Sequence, residues 1–268
     1  MHDQYISLIE EIPIDKGFYW FNSVRILFTR SVSSTQHYLL DEVGNYSSGS
    51  LLWSRIQSAG VGRKGRKWLS GSPNGLWFSF LLKGGLEAFR VPIIPVIVNF
   101  SLYKTLKRLG VEGVFVVWPN DLYIGSKKLG GTLVDAKTKG SKLEFAVVGV
   151  GLNVNQEIQE IDASLHPFAT SLKIETGRCF SLQGILRTFC NDFISTWQDA
   201  ERMEDEMVYN LCWKEAMAGA ADFVYEYDSL FVKPVGLDSY GGLLVKLEDG
   251  TLKTIRDNER FKKSTRYI

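Results

Sequence analysis

Gln57-Ser58-Ala59-Gly60-Val61-Gly62-Arg63-Lys64-Gly65-Arg66-Lys67-Trp68 is the most informative stretch of the chain. Gly60-x-Gly62-x-x-Gly65 satisfies a dinucleotide fingerprint literally. That fingerprint needs a helix opening at the glycines and an acid some way beyond. Here Trp68 is followed by Leu69-Ser70-Gly71-Ser72-Pro73-Asn74-Gly75, which is turn chemistry and cannot continue a helix. Nor is the stretch a P-loop, because Arg66-Lys67 stand where Lys-Ser/Thr is required. A doubly wound dinucleotide fold is therefore set aside. What remains is a glycine loop with clustered cations and a tryptophan. Glycines let backbone N–H groups approach an anion, and arginine forks grip phosphate oxygens in pairs. A solvated basic turn or a local nucleic-acid patch is the plainer alternative.

Outward from this loop, Val24 to Thr29 and Ser50 to Gln57 read as strands. Ser33-Ser34-Thr35 offers capping hydroxyls to a short helix over Gln36 to Val43, which Gly44 ends. An apolar strand follows over Leu76 to Leu82. Apolar residues at helical spacing from Val91 to Leu109 predict a helix, with Pro92 in its first turn. Strand-like runs return at Val114 to Trp118, Leu129 to Asp135 and Leu143 to Val150. Leu182, Ile185, Leu186, Phe189, Phe193 and Trp197 form one face of a helix from Ser181 to about Met203, read as core and nothing more. Ala216 to Ala221 reads as a domain joint. Beyond it, strand runs at Phe223 to Val232, Leu243 to Leu247 and Leu252 to Ile255, with a hairpin turn at Asp249-Gly250, predict a small all-β unit. The division expected is 1–219 and 220–268.

Two further segments carry chemistry. Trp118-Pro119-Asn120-Asp121 precedes Lys127-Lys128-Leu129-Gly130-Gly131, which sets an ammonium beside a tightly packed strand; a desolvated lysine there can hold a carboxylate or a transferring phosphate. A hairpin with an exposed lysine pair is the alternative. Gly149-Val150-Gly151-Leu152-Asn153-Val154-Asn155 ends a strand with room for a ligand and with amide donors and acceptors. A bulge beside a turn explains it equally.

Composition narrows the class. Lys and Arg total 31 against 30 acids, so no global field steers the chain to DNA or an anionic membrane. Cys179, Cys190 and Cys212 lack metal or disulfide spacing. The N-terminus shows no secretion signal, and Val91 to Phe100, broken by prolines, is too short to span a bilayer, so a cytoplasmic protein is expected.

Taken together and in order, Ser34-Thr35-Gln36, the Gln57 to Trp68 loop, Trp118 to Asp121, Lys128-Leu129-Gly130-Gly131 and Gly149 to Asn155 resemble the biotin–protein ligase family, with Ala169-Thr170-Ser171-Leu172 a further likeness. The resemblance runs from about Val24 to the C-terminus and is strongest through Asn155. It implies an α/β (α+β) catalytic domain of the biotin/lipoate ligase type, a mixed sheet backed by helices, with a small C-terminal SH3-like β-barrel. It implies that biotin and ATP, with Mg2+, give biotinyl-5'-AMP, and that biotin then passes to one lysine of a biotin carboxyl carrier domain of a carboxylase. Dimers are common in that family. Carried over residue by residue, Ser34, Thr35, Gln36, Gln57, Gly60, Gly62, Arg63, Lys128, Gly131 and Gly151 would bind biotin. Arg63, Arg66, Trp68, Asn120, Lys128 and Asn153 would meet ATP or the adenylate, and Lys128 and Arg63 would act in catalysis. No motif supplies a metal cage. Val61 and Val117 stand where many relatives carry Arg and Lys. About 23 residues precede the first expected strand, too few for the winged helix-turn-helix of the repressor members, so no DNA binding is expected. A lipoate or octanoate ligase or transferase of the same fold, or a non-catalytic biotin binder, are the competing readings; the former lacks its Arg-Arg-x-x-Gly-Gly-Gly segment here.

Overall fold

The computed structural model describes residues 6–14 and 22–256, together with the backbone of the last strand, Phe261–Tyr267. In chain order the elements are β1 (Ser7–Pro13), β2 (Ser23–Val32), α1 (Thr35–Asp41), β3 (Ser50–Gln57), β4 (Leu76–Lys83), α2 (Ile93–Arg108), β5 (Val114–Val117), β6 (Asp121–Ile124), β7 (Lys127–Lys139), β8 (Lys142–Leu152), α3 (Leu172–Thr176), α4 (Leu182–Glu201), α5 (Asp205–Cys212) and the strands β9 (Phe223–Tyr227), β10 (Leu230–Leu237), β11 (Leu243–Leu247), β12 (Leu252–Ile255) and β13 (Phe261–Tyr267).

Strands β1 to β8 form one sheet in the order β1-β2-β3-β4-β8-β7-β6-β5. Only β2 and β3 run parallel; the other pairs are antiparallel, which makes the sheet mixed. Side chains alternate across each strand, and this decides where the site lies. On β4, Phe78, Phe80 and Leu82 join the large core under α2 and α4, whereas Leu81 joins a smaller cluster with Leu27, Leu39, Leu52 and Val147 under α1. Ser79, two residues before Leu81, therefore points to the α1 side. So do Gly149 and Gly151, in phase with Val147 on β8.

The large core is held by aromatic packing. Phe189 lies 5.2 Å from Phe78, and Phe193 lies 5.1 Å from Phe80 and 5.5 Å from Trp197, ring centre to ring centre. These are the residues of the apolar stripe on α4, each stabilising by about 1.5–3 kcal/mol through burial. Ser181 caps the helix by accepting from the Gly184 N–H.

β9 to β13 form a second, antiparallel sheet in the order β12-β11-β10-β9-β13, consistent with an SH3-like unit. Asp249-Gly250 makes the expected turn between β11 and β12: Gly250 takes φ 87° and Asp249 accepts from the Thr251 N–H. The two sheets meet where the Trp118 indole N–H donates to the Gly241 carbonyl, 2.9 Å away.

Several expectations need correction. The run Phe223 to Val232 is two strands, broken by Asp228 and Ser229 in left-handed conformation. The segment read as a domain joint, Ala216 to Ala221, is helical: turns cover Trp213–Met217 and Ala218–Asp222, and a Cβ on Gly219 would come within 3.1 Å of the Phe115 side chain. β1 and α5 were not anticipated. Among the described residues no helix is long and apolar enough to cross a membrane.

Candidate functional site

β2 and β3 end side by side, with Val32 opposite Gln57 in parallel register. The chain leaving β2 turns at once into α1, so Ser34 and Thr35 arrive beside the Gln57 side chain. Ser34 is the N-cap, accepting from the His37 N–H as the sequence predicts. Gln57 Oε1 accepts from the Thr35 N–H at 2.7 Å and lies 3.0 Å from Thr35 Oγ1, while Gln57 Nε2 donates to Ser70 Oγ at 3.0 Å. Gln36 reaches the other way: its Nε2 donates to Asp135 at 2.8 Å and to the Val147 carbonyl at 2.9 Å. Ser34, Thr35 and Gln57 thus set hydroxyl and amide groups side by side that can both donate and accept. A donor beside acceptors suits a small polar ring in which a carbonyl adjoins an N–H.

These residues form the end of a cavity of about 1010 Å³ on the α1 side of the sheet. Its floor is made of facing glycines: Gly131 on β7 pairs with Gly151 on β8. Both are required by close approach. A Cβ on Gly151 would lie 2.4 Å from Trp68 Nε1, and one on Gly131 would lie 2.8 Å from Asp121 Oδ1. The same holds at Gly149, where a Cβ would lie 2.6 Å from Gln36 Oε1.

At the far end stands Lys128. The register of β6 against β7, with Asp121 opposite Gly131, brings its Nζ to 2.7 Å from Asp121 Oδ1 and 5.3 Å from the centre of the Trp68 ring. The expected desolvated lysine is corrected here: its side chain is 30% exposed and is paired with a carboxylate. The partner, Asp121, was not singled out from sequence, although it closes the Trp-Pro-Asn-Asp motif. The pair is mostly buried and the contacting Asp121 oxygen wholly so, which means that an incoming anion reaches the ammonium by displacing a carboxylate. Lys128 is also fixed through its backbone, donating to Phe168 O and accepting from Thr170 N–H.

The glycine loop closes one wall as a tight hairpin. Gly62 N–H donates to Arg66 O, Trp68 N–H to Gly60 O, and Val61 bridges Lys67; Lys64 and Gly65 make the turn at φ 58° and 70°. Arg63 folds inward and donates from Nη1 to Asn120 Oδ1 at 2.9 Å, and Asn120 in turn donates to Thr132 O at 2.7 Å. Arg66 and Lys67 are exposed at the rim. Trp68 packs edge-on against Trp77, and its indole N–H has no hydrogen-bond partner, an unmet donor in the wall.

Thus Ser34, Thr35, Gln36, Gln57, Gly62, Arg63, Arg66, Trp68, Asn120, Lys128, Gly131, Gly151 and Asn153 all line one cavity. Gly60 does not: it lies behind the wall, where a Cβ would strike Ser70 Oγ at 2.3 Å. Asn153 is spent on loop holding, donating to Thr170 O and accepting from Gln156. Ser79, Ser70 and the wall around Phe168 were not anticipated; their residue types carry no signal until the strands are paired. Opposite the hairpin, Glu160 accepts from Ser72 and Asn74 at 2.8 Å each. Burial pushes its carboxyl up, but these donors and the Glu157 N–H outweigh burial and hold it below its ordinary value.

Residues 28–153 match the model of the Biotin/lipoate A/B protein ligase family. The bifunctional ligase/repressor BirA of Salmonella typhimurium is 28% identical over 265 residues, covering 91% of this chain and 76% of that protein. BirA of Bacillus spizizenii is 25% identical over 239 residues, covering 85% and 71%. Among solved structures, the biotin protein ligase from Aquifex aeolicus in complex with biotin and ATP aligns with a TM-score of 0.72 at 27% identity, covering 89% of this chain and 98% of that one. The ordered motifs and the cavity they line thus fall within a stretch that matches the biotin/lipoate A/B protein ligase model, and nearly the whole chain is similar to biotin–protein ligases.

Proposed function

We propose that this chain is an ATP-dependent biotin–protein ligase that forms biotinyl-5'-AMP and transfers biotin to a lysine of a biotin carboxyl carrier domain. The observation that carries the reading is the polarity of the cavity: hydrogen-bonding side chains of Ser34, Thr35 and Gln57 at one end, glycines along the floor, and Lys128 at the other. The ureido ring of biotin suits the first end, and its carboxylate suits the second. The Aquifex relative, in complex with biotin and ATP, supports the same pair of ligands.

The site roles follow. Ser34 donates to the ureido carbonyl, and Thr35 and Gln57 accept from ureido N–H groups. Lys128 exchanges Asp121 for the biotin carboxylate and then for the α-phosphate, neutralising the charge that develops as the carboxylate oxygen attacks phosphorus and pyrophosphate leaves. Arg63, held by Asn120, faces the phosphate, with Arg66 at the rim. The Trp68 indole covers the mixed anhydride and keeps water from it. The acceptor amine attacks the acyl carbon, and AMP leaves.

Mg2+ enters with ATP. Among the described residues no group of three or more His, Cys, Asp or Glu could hold a metal. Asp121 and Asn120 would stand as nearby oxygen donors to a cation carried by the triphosphate. When bound it neutralises phosphate charge. The catalytic unit is residues 1–219 and the β unit 220–268; the protein acts in the cytoplasm and is compatible with a homodimer.

Incubation with ATP, Mg2+, biotin and an acceptor domain tests this: intact-mass analysis is expected to show one biotin on one acceptor lysine. Acceptor left unmodified, or modified equally by lipoate, contradicts it.

A further inference from the structure

At the ligand-binding end of the cavity, hydroxyl protons are fewer than short oxygen contacts. Thr35 Oγ1 lies 3.0 Å from Gln57 Oε1 and 2.8 Å from Ser79 Oγ, and Ser79 Oγ lies 3.1 Å from Gln36 Oε1. Three contacts share two protons. The Gln36 amide cannot turn to relieve this, because its Nε2 donates to two groups that accept, Asp135 and the Val147 carbonyl. Its Oε1 must therefore accept, and Ser79 is the donor that satisfies it. The Ser79 proton is then committed, so the short Thr35–Ser79 contact has to be made by the Thr35 proton. Gln57 Oε1 loses nothing, since the Thr35 backbone N–H already satisfies it at 2.7 Å. Every other arrangement leaves a buried acceptor bare or sets two lone pairs face to face at 2.8 Å, and unmet buried polar groups are costly.

We infer that Ser79 sets the hydrogen-bonding sense of Thr35, as a positioning residue that locks the Thr35 hydroxyl as an acceptor toward the ligand and so determines specificity for a ring N–H at that point. Ser79 is 1% exposed, lies on β4 opposite Gly149 of β8, and lines the cavity. The serine is placed by strand register and carries no motif of its own. The inference rests on the biotin–ligase reading and names what discriminates the ureido ring within it.

The test compares kcat/KM for adenylate formation, read as pyrophosphate release by the full chain. The substrates are biotin and its two cyclic carbamate analogues, in each of which a ring oxygen replaces one ureido N–H. Wild type is expected to reject the analogue whose oxygen faces Thr35 by about a hundredfold or more, since acceptor then meets acceptor. In Ser79→Ala the only acceptor among these contacts left to the Thr35 proton is Gln57 Oε1, which the Thr35 N–H already satisfies, so the proton can turn toward that oxygen and the preference falls at least about tenfold. Ser79→Thr keeps the hydroxyl and the wild-type preference. If Ser79→Ala does not fold, Ser79→Cys, whose thiol is a weak acceptor, shifts the preference the same way. Equal preference in wild type and in the variant lacking the hydroxyl, with both substrates slowed alike, overturns the inference and leaves the ligase reading standing. Wild type that releases no pyrophosphate with biotin removes the ligase reading, and this inference with it.

Discussion

Lys128 and Asp121 face each other across neighbouring strands, with Nζ 2.7 Å from Oδ1, and the side chains are 30% and 26% exposed. The pair keeps the ammonium at one end of a long cavity whose other end is lined by Thr35 and Gln57. A carboxylate already there means that an arriving anion replaces a partner rather than meeting an isolated charge. The lysine is thus held in place before substrate arrives.

Lys128→Ala removes a cation that its backbone and side chain both fix at that end. The first step is expected to slow by about a hundredfold or more, the usual loss for one preorganised charge donor. Biotin affinity is expected to change less. Single-turnover adenylate formation and equilibrium biotin binding separate the two; near-normal adenylate formation takes Lys128 out of the chemistry.

Arg63→Gly breaks the bond that ties the glycine hairpin to Asn120 at 2.9 Å. A hydrogen bond to a charged group contributes about 1.5–3 kcal/mol, so adenylate is expected to dissociate at least about tenfold faster. Escaped adenylate labels bystander lysines. A dissociation rate equal to wild type contradicts the role given to the hairpin.

Gly151→Ala puts a methyl where Trp68 Nε1 would be 2.4 Å away. The indole must move, while β8 itself tolerates alanine. Thermal stability is expected to fall by no more than an overpacking cost of about 1–3 kcal/mol, while KM for ATP rises as the displaced indole leaves its place. The Trp68→Ala variant reports the same defect without the clash. Unchanged KM in both variants shows that Trp68 does not meet the nucleotide.

Cysteine reactivity tests the core. Cys179 is exposed, whereas Cys190 and Cys212 are buried. Burial pushes the Cys190 thiol far up and the Cys212 thiol up to about 12. Neither forms thiolate near neutral pH, and alkaline conditions would have to approach that value before Cys212 ionises in the folded chain. A thiol reagent at mild pH is expected to titrate one cysteine in the native protein and three in denaturant; three in the native protein places the thiols elsewhere.

The sheet and the long helices were legible because their patterns are long: the α4 stripe from Leu182 to Trp197 and the apolar strands β3, β4 and β8 leave little choice of period. β1, with Ser7-Leu8-Ile9-Glu10-Glu11-Ile12-Pro13, was not, since an edge strand buries too little to show alternation. The site was legible where glycine or a cation is required by contact, as at Gly131, Gly151, Arg63 and Lys128. It was illegible where an ordinary residue gains its place only by pairing. Ser79 is in the cavity because β4 lies between β3 and β8, and Asp121 meets Lys128 because β6 pairs with β7. Gly60 shows the converse: a motif glycine whose need is wall packing against Ser70 and Trp68.

Biotin-dependent ATP–pyrophosphate exchange by the purified chain is the most direct test of a cavity that holds a ureido ring at Thr35 and a carboxylate at Lys128. Exchange is expected to appear with biotin and to stay at background with lipoate or octanoate. Absence of exchange with biotin, or exchange driven as well by either fatty acid, contradicts it.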